Sequence, residues 1–236
     1  MLKRHLRRIL KAGCLLSAAV ICAGALAGCG EAYAEQKIGK EARYYIANKY
    51  KFRPGTTGVE LRHVGDMEGV WHKQDGGTAS MEYQGHHFRV YVSLTDPSAT
   101  CDDYLRPEVD EYLSDYFGKV LECDSVHAWA VYGTPVCMVP GDVKSVEDVF
   151  SKCDNIEVYV STTGLDRESA KTADLSGLGA DTHVSIIDWT SEDCVKDEDL
   201  MRETTVGLET DSYTDGFEKV RSYYRYYKGD VRALEK

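Results

Sequence analysis

Recognisable catalytic signatures are missing from this chain of 236 residues. It has no G-x-S-x-G nucleophile turn, no phosphate-binding P-loop and no G-x-G-x-x-G dinucleotide loop. It has no C-x-x-C, so neither a thioredoxin-type redox pair nor a zinc ribbon is indicated. No H-x-x-x-H places two imidazoles on one helical face. Proline is scarce, at five residues, and no low-complexity tract occurs, which argues against a long disordered stalk. Acidic residues are absent before Glu31.

That acid-free start has a definite pattern. Lys3, Arg4, Arg7, Arg8 and Lys11 form a basic head, and the apolar stretch AGCLLSAAVICAGALAG follows from Ala12 to Gly28. A positive head, an apolar middle and a small-residue end are the parts of a secretory signal peptide. The apolar run is shorter than the ~20 residues of a permanent span. It ends in Leu26-Ala27-Gly28-Cys29. This resembles the lipobox of bacterial lipoproteins, a leucine and two small residues before a cysteine. The resemblance implies recognition of Leu26, Ala27 and Gly28 by the signal peptidase, a diacylglyceryl group on the Cys29 thiol, and a mature chain beginning at Cys29. A competing cut lies after Ala32-Tyr33-Ala34 and would release a soluble protein starting at Glu35.

Without residues 1–28 the chain keeps 23 basic residues against 39 acidic ones, a formal charge of −16. Such a surface repels nucleic-acid phosphates, so no nucleic-acid partner is expected. The expected organisation is a signal peptide over 1–28, a short tether over 29–36 and one exported domain over 37–236. Two similar halves meeting near 125–140 are the alternative. Beyond Cys29 the mature chain carries Cys101, Cys123, Cys137, Cys153 and Cys194. Five is an odd number, so at least one thiol is free or pairs with another chain. One or two disulfides, or buried reduced cysteines, are both consistent with the spacing.

Periodicity predicts a helix over about 35–51, stopped by Pro54-Gly55, then a strand over Thr57–Val64 and a hairpin turning near Gly85. Val109, Tyr112, Leu113, Tyr116, Phe117, Val120 and Leu121 form one apolar stripe of an amphipathic helix. Strands are expected at 125–132, 156–161 and 183–189, and a short capped helix after Ser145. Residues 162–181 read as a long loop with one helical turn after Asp166, and 191–215 as an acidic segment. A last helix is expected over about 215–228. The fold class is therefore α+β: an antiparallel sheet with helices packed on one face. The early helix followed by a meander resembles cystatin-like and PepSY-like envelope modules, a likeness of fold that carries no function.

Candidate chemistry is thin. His86 and His87 are adjacent, so on a strand they point to opposite faces. His63 and His72 approach only if their segments pair. His127 with Cys137 is the one Cys/His combination in neighbouring elements. The run Asp197-Glu198-Asp199 lacks the spaced oxygen pattern of a calcium loop. No metal site and no cofactor are expected. The tail interleaves Tyr223, Tyr224, Tyr226 and Tyr227 with Arg221, Arg225 and Lys228. Tyr223, Arg225 and Tyr226 form the candidate binding surface. The expected function is a lipid-anchored binding or accessory module on the extracytoplasmic face of the cell membrane, non-catalytic, with a protein or glycan partner. An envelope hydrolase without a recognisable motif, and a structural or inhibitory protein-binding module, are the alternatives.

Overall fold

The computed structural model describes residues 31–64, 73–132, 138–153, 155–178, 182–210, 216–227 and 230–235. The lipobox residues Leu26, Ala27, Gly28 and Cys29, and also His72 and Cys137, lie outside the described residues. The chain divides into two compact units, one ending at Thr100 and the other beginning at Cys101. The class is α+β. No helix among the described residues is long and apolar enough to cross a membrane.

In the first unit helix α1 occupies residues 31–50. It begins earlier than the spacing predicts, so the segment expected to be a tether is helical from Glu31, and Ala34 is already buried. Ile38, Ala42 and Ile46 are fully buried at one-turn spacing. Strands β1 (Gly55–Val64), β2 (Lys73–Tyr83) and β3 (His86–Ser93) follow as an antiparallel meander. Gln84 and Gly85 turn β2 into β3 with φ of 53° and 82°, the two positive values a tight two-residue hairpin requires. Along β2 and β3, Ala79 faces Val90 and Met81 faces Phe88, all buried, while Glu82, His87 and Arg89 on the other face are exposed. One face is therefore apolar and one is wet, as alternation dictates. A Cβ on Gly77 would come within 2.7 Å of Ile38 Cδ1 and 2.5 Å of the Glu60 carbonyl oxygen. The missing side chain lets α1 approach the sheet.

The second unit is built on a five-stranded sheet in the order β10-β9-β8-β7-β5. Its strands are β5 (Ser125–Val131), β7 (Glu157–Thr163), β8 (His183–Trp189), β9 (Val220–Tyr227) and β10 (Asp230–Glu235). Two-residue strands β4 (Cys101–Asp102) and β6 (Val139–Pro140) pair with each other. Every pair in the β10-β9-β8-β7-β5 sheet is antiparallel except β7 with β8. Parallel neighbours need a crossover of a dozen or more residues. That requirement explains residues 164–182, read from sequence as a loop with one helical turn: they are the β7-to-β8 crossover. They contain α4 (Arg167–Thr172), whose N-cap Asp166 side chain accepts the Ser169 N–H.

Helices cover both faces of this sheet. On one face Trp129, Tyr159, Ile187, Trp189 and Tyr223 form a core with Met201 and Leu208 of α5 (Glu198–Thr210). On the other, the Tyr226 hydroxyl donates to the Ala170 carbonyl of α4. Helix α2 (Arg106–Val120) buries Val109, Leu113 and Phe117, and α3 (Val146–Lys152) starts at Ser145, whose hydroxyl accepts the Asp148 N–H.

The edge strand β5 needs particular treatment, because an unpaired strand edge recruits other chains. Ser114 of α2 accepts the Ala128 N–H at 3.0 Å and donates to the Ala128 carbonyl at 3.2 Å. One turn earlier the Asp110 carboxylate accepts the Ala130 N–H. Four helical residues span ~6 Å and two strand residues ~6.7 Å, so the two repeats match. Ser114→Ala should lower unfolding free energy by about 1–3 kcal/mol, since it strands a backbone donor and acceptor. Urea denaturation of the variant measures this, and an unchanged midpoint would refute the edge-closing role.

Candidate functional site

The expected C-terminal helix is a strand. Val220–Tyr227 forms β9, paired on both sides, with β8 and β10. This corrects the candidate binding surface. Tyr223 is 3% exposed and Tyr226 is 6% exposed, so neither ring is available to a partner. The Tyr223 hydroxyl donates to Glu209 Oε1 at 3.2 Å and lies 3.4 Å from Ser185 Oγ, and burial pushes its pKa up to about 12. Tyrosine and valine suit a strand buried on both faces. The helical spacing of Phe217, Val220, Tyr224 and Tyr227 is coincidental there. Of the three expected residues, only Arg225 reaches a pocket.

That pocket holds about 300 Å³ and is lined by His183, Arg225, Tyr227 and Arg232. The His183 and Tyr227 rings stack with centroids 3.9 Å apart and planes 16° from parallel. Arg225 and Arg232 are direct partners in the β9–β10 register. Like charges placed opposite each other on an antiparallel ladder repel. Arg225 is relieved by Glu209, 3.1 Å away on α5. Arg232 is exposed and has no ion-pair partner among the described residues. The Glu209 carboxylate thus pairs with Arg225 alone and also accepts from Tyr223. The result is a small basic pocket with an aromatic floor on a strongly acidic chain. Guanidinium groups offer a planar fork of donors that matches a carboxylate or phosphate. Sequence reasoning found Arg225 but missed His183 and Arg232, because neither β10 nor the β8–β9 pairing was foreseen.

A second cluster lies where α2 and α5 approach β5. Arg106 Nη2 donates to Glu198 Oε2 at 2.5 Å, and its Nε stands 3.6 Å from Asp110 Oδ2. His127 Nε2 is 4.0 Å from Glu198 Oε1, too far for a hydrogen bond. Burial holds the His127 imidazole below its usual range, against the opposing pull of Glu198. Burial also raises Asp110 to about 7, with Arg106 working in the other direction. One Asp110 oxygen, Oδ1, is buried without a hydrogen-bond partner. Perturbed groups gathered in this way are a recognised mark of functional sites and also of structural ion pairs. The loose imidazole–carboxylate distance and the edge-closing task of Asp110 favour the structural role.

The other candidates stay apart. His86 is half-buried and tilted against Phe88, with ring centroids 5.7 Å apart, whereas His87 is exposed on the opposite face. Among the described residues no group of three or more metal-ligating side chains gathers around one point. Cys123 and Cys194 are free thiols, and the Cys101 sulfur donates to Met138 Sδ at 3.8 Å. Asp197, Glu198 and Asp199, with Asp193 and Lys196, line an open acidic hollow. No protein-family model matches the chain, and neither a curated protein nor a solved structure is significantly similar to it.

The Asp110 environment has a pH signature. Folded, the carboxyl keeps its proton to about pH 7, against 3.8 for an ordinary aspartate. Between those values the folded state binds more protons than the unfolded one, so stability falls as pH rises through that window and levels off above it. Asp110→Asn keeps an acceptor for Ala130 and removes the titration. Relative to the parent it should gain on the order of 2–4 kcal/mol between pH 4 and pH 8. Urea titrations at a series of pH values measure the difference, and parallel pH profiles would show that Asp110 ionises normally.

Proposed function

We propose that this chain is a bacterial envelope lipoprotein, held at the extracytoplasmic face of the membrane by a diacylglyceryl group on Cys29, and that its exported part is a non-catalytic binding module. The pocket of His183, Arg225, Tyr227 and Arg232 is the binding site in this reading, and its ligand is an acidic saccharide. The opposed, under-neutralised Arg225 and Arg232 carry the reading. An anion between them relieves a repulsion that the fold otherwise sustains. The stacked His183 and Tyr227 rings supply the flat surface on which a sugar ring rests. The helical residues 31–34, with Ala34 buried, support a mature chain that keeps them, as cleavage before Cys29 would.

Titration calorimetry of the mature chain with a uronic-acid oligosaccharide tests the site. Arg232→Ala should weaken binding roughly tenfold, equivalent to about 1.4 kcal/mol, and binding should weaken as salt rises. Equal binding of a neutral oligosaccharide of the same length would sink the acidic-saccharide reading, and tighter binding of an acidic peptide would move the ligand to a protein. The anchor is tested separately by the intact mass of the protein from its native host. A mass beginning at Cys29 plus acyl chains is expected. A mass beginning at Glu35 would mean a released, soluble protein.

An envelope hydrolase is the second reading, and the Arg106, Asp110, His127 and Glu198 cluster is the observation in its favour. It requires that His127→Gln abolish turnover in a hydrolase screen while leaving the fold intact.

A further inference from the structure

The outward side of α1 is chemically unlike the rest of the chain. Tyr33, Lys37, Lys40 and Tyr44 follow one another at spacings of four, three and four, which puts them on one face of a helix. At 100° per residue this face lies opposite Ile38, Ala42 and Ile46, the residues that α1 buries. Tyr33 is 69% exposed and Tyr44 is 67% exposed, more than any other large apolar side chain described. Lys37 and Lys40 are exposed and have no ion-pair partner among the described residues. The acids of α1 lie elsewhere: Glu31 and Glu35 toward the opposite side, with Glu35 beside the groove against β1, and Glu41 on the flank. A stripe containing only tyrosine and lysine, about 16 Å long at 1.5 Å per residue, thus stands on a chain of strongly negative charge.

Two bulky aromatic rings share this exposed face with the two lysines. Tyrosine favours the headgroup level of a bilayer, and lysine reaches from there to lipid phosphates. The position in the chain supplies the partner. Tyr33 lies four residues after Cys29, the expected site of lipidation. We infer that α1 lies flat on the membrane, with Tyr33, Lys37, Lys40 and Tyr44 against anionic lipid headgroups. This rests on the lipid-anchor reading. The apolar face of α1 is used up inside the first unit, so the stripe holds the surface only weakly by itself. A tether at residue 29 supplies the effective concentration that makes so weak a contact persist. The acidic remainder of the chain is repelled by the same headgroups, which favours the one orientation that presents the lysines.

The test supplies its own tether, so that it succeeds or fails independently of native acylation. The mature chain with Cys29→Ser and a hexahistidine tag in place of residues 1–28 is bound to vesicles that contain nickel-chelating lipid. Hydroxyl-radical footprinting then reads the oxidation of Tyr33 and Tyr44. On vesicles rich in phosphatidylglycerol their labelling should fall at least about threefold relative to solution, while Tyr112 and Val206, exposed in the second unit, label as before. Lys37→Glu with Lys40→Glu should restore the solution level with an unchanged circular dichroism spectrum. Equal labelling of Tyr33 and Tyr44 on vesicles and in solution overturns the inference, as does protection that survives the double charge reversal. Protection that grows with protein concentration in the absence of vesicles also overturns it, and assigns the stripe to a second copy of the chain. The intact mass from the native host remains the separate check on Cys29.

Discussion

Much of the second unit depends on how α2 closes the outward edge of β5. A strand at the margin of a sheet carries backbone donors and acceptors with no strand beside them. Here a serine and an aspartate one helical turn apart reach two alternate residues of the strand. The match fixes α2 along β5 and sets its direction. It also draws Asp110 into an apolar setting, beside Arg106, and brings Arg106 within reach of Glu198 on α5. The Arg106–Asp110 part of the cluster is thus accounted for by the demands of a sheet margin. The raised pKa of Asp110 is the electrostatic cost of using a carboxylate where a second hydroxyl would have been easier to bury.

At the other margin of the same sheet the solution is different. There β10 adds a strand whose Arg232 faces Arg225, and a single glutamate from α5 balances the pair only in part. Folding alone gives no reason to place two guanidiniums in register. The contrast between the two margins is informative. One is satisfied from within the fold, and the other retains positive charge around an aromatic floor.

How legible this was in the sequence varied with the physics of each element. The stripe of α2 and the alternation of β3 were plain, because one face of each is buried and the other is wet. Helix α5 was missed. Its buried positions are Met201, Thr204, Thr205, Gly207 and Leu208, two sizeable apolar side chains among small and polar ones, within a run of acids that masks the period. Strand β9 was read as a helix because its Tyr and Val residues satisfy a helical spacing as well as a strand's, and only the neighbours on both sides decide between them. The helical turn after Asp166 was legible and is α4, but its part in a crossover was not, because parallel pairing leaves no local mark. For the same reasons Arg225 was visible as part of a distinctive tail, whereas His183 and Arg232 came to it only through register.

The parallel pair β7–β8 bears on the order in which the chain is assembled. A polypeptide made or threaded from its N-terminus delivers α1, β1, β2 and β3 as near neighbours, and these can pair as they arrive. The sheet of the second unit has no such luxury: β7 can pair at once with β5, but its other side waits for β8 some twenty residues downstream, and β9 and β10 come last of all. Until then the apolar Val158 and Val160, fully buried at the end, sit in a ladder with β5 alone, and slow non-local pairing leaves time for a wrong strand on the open side. A chain cut short near residue 215 would hold that half-built sheet permanently, and its sticky margin would be β8.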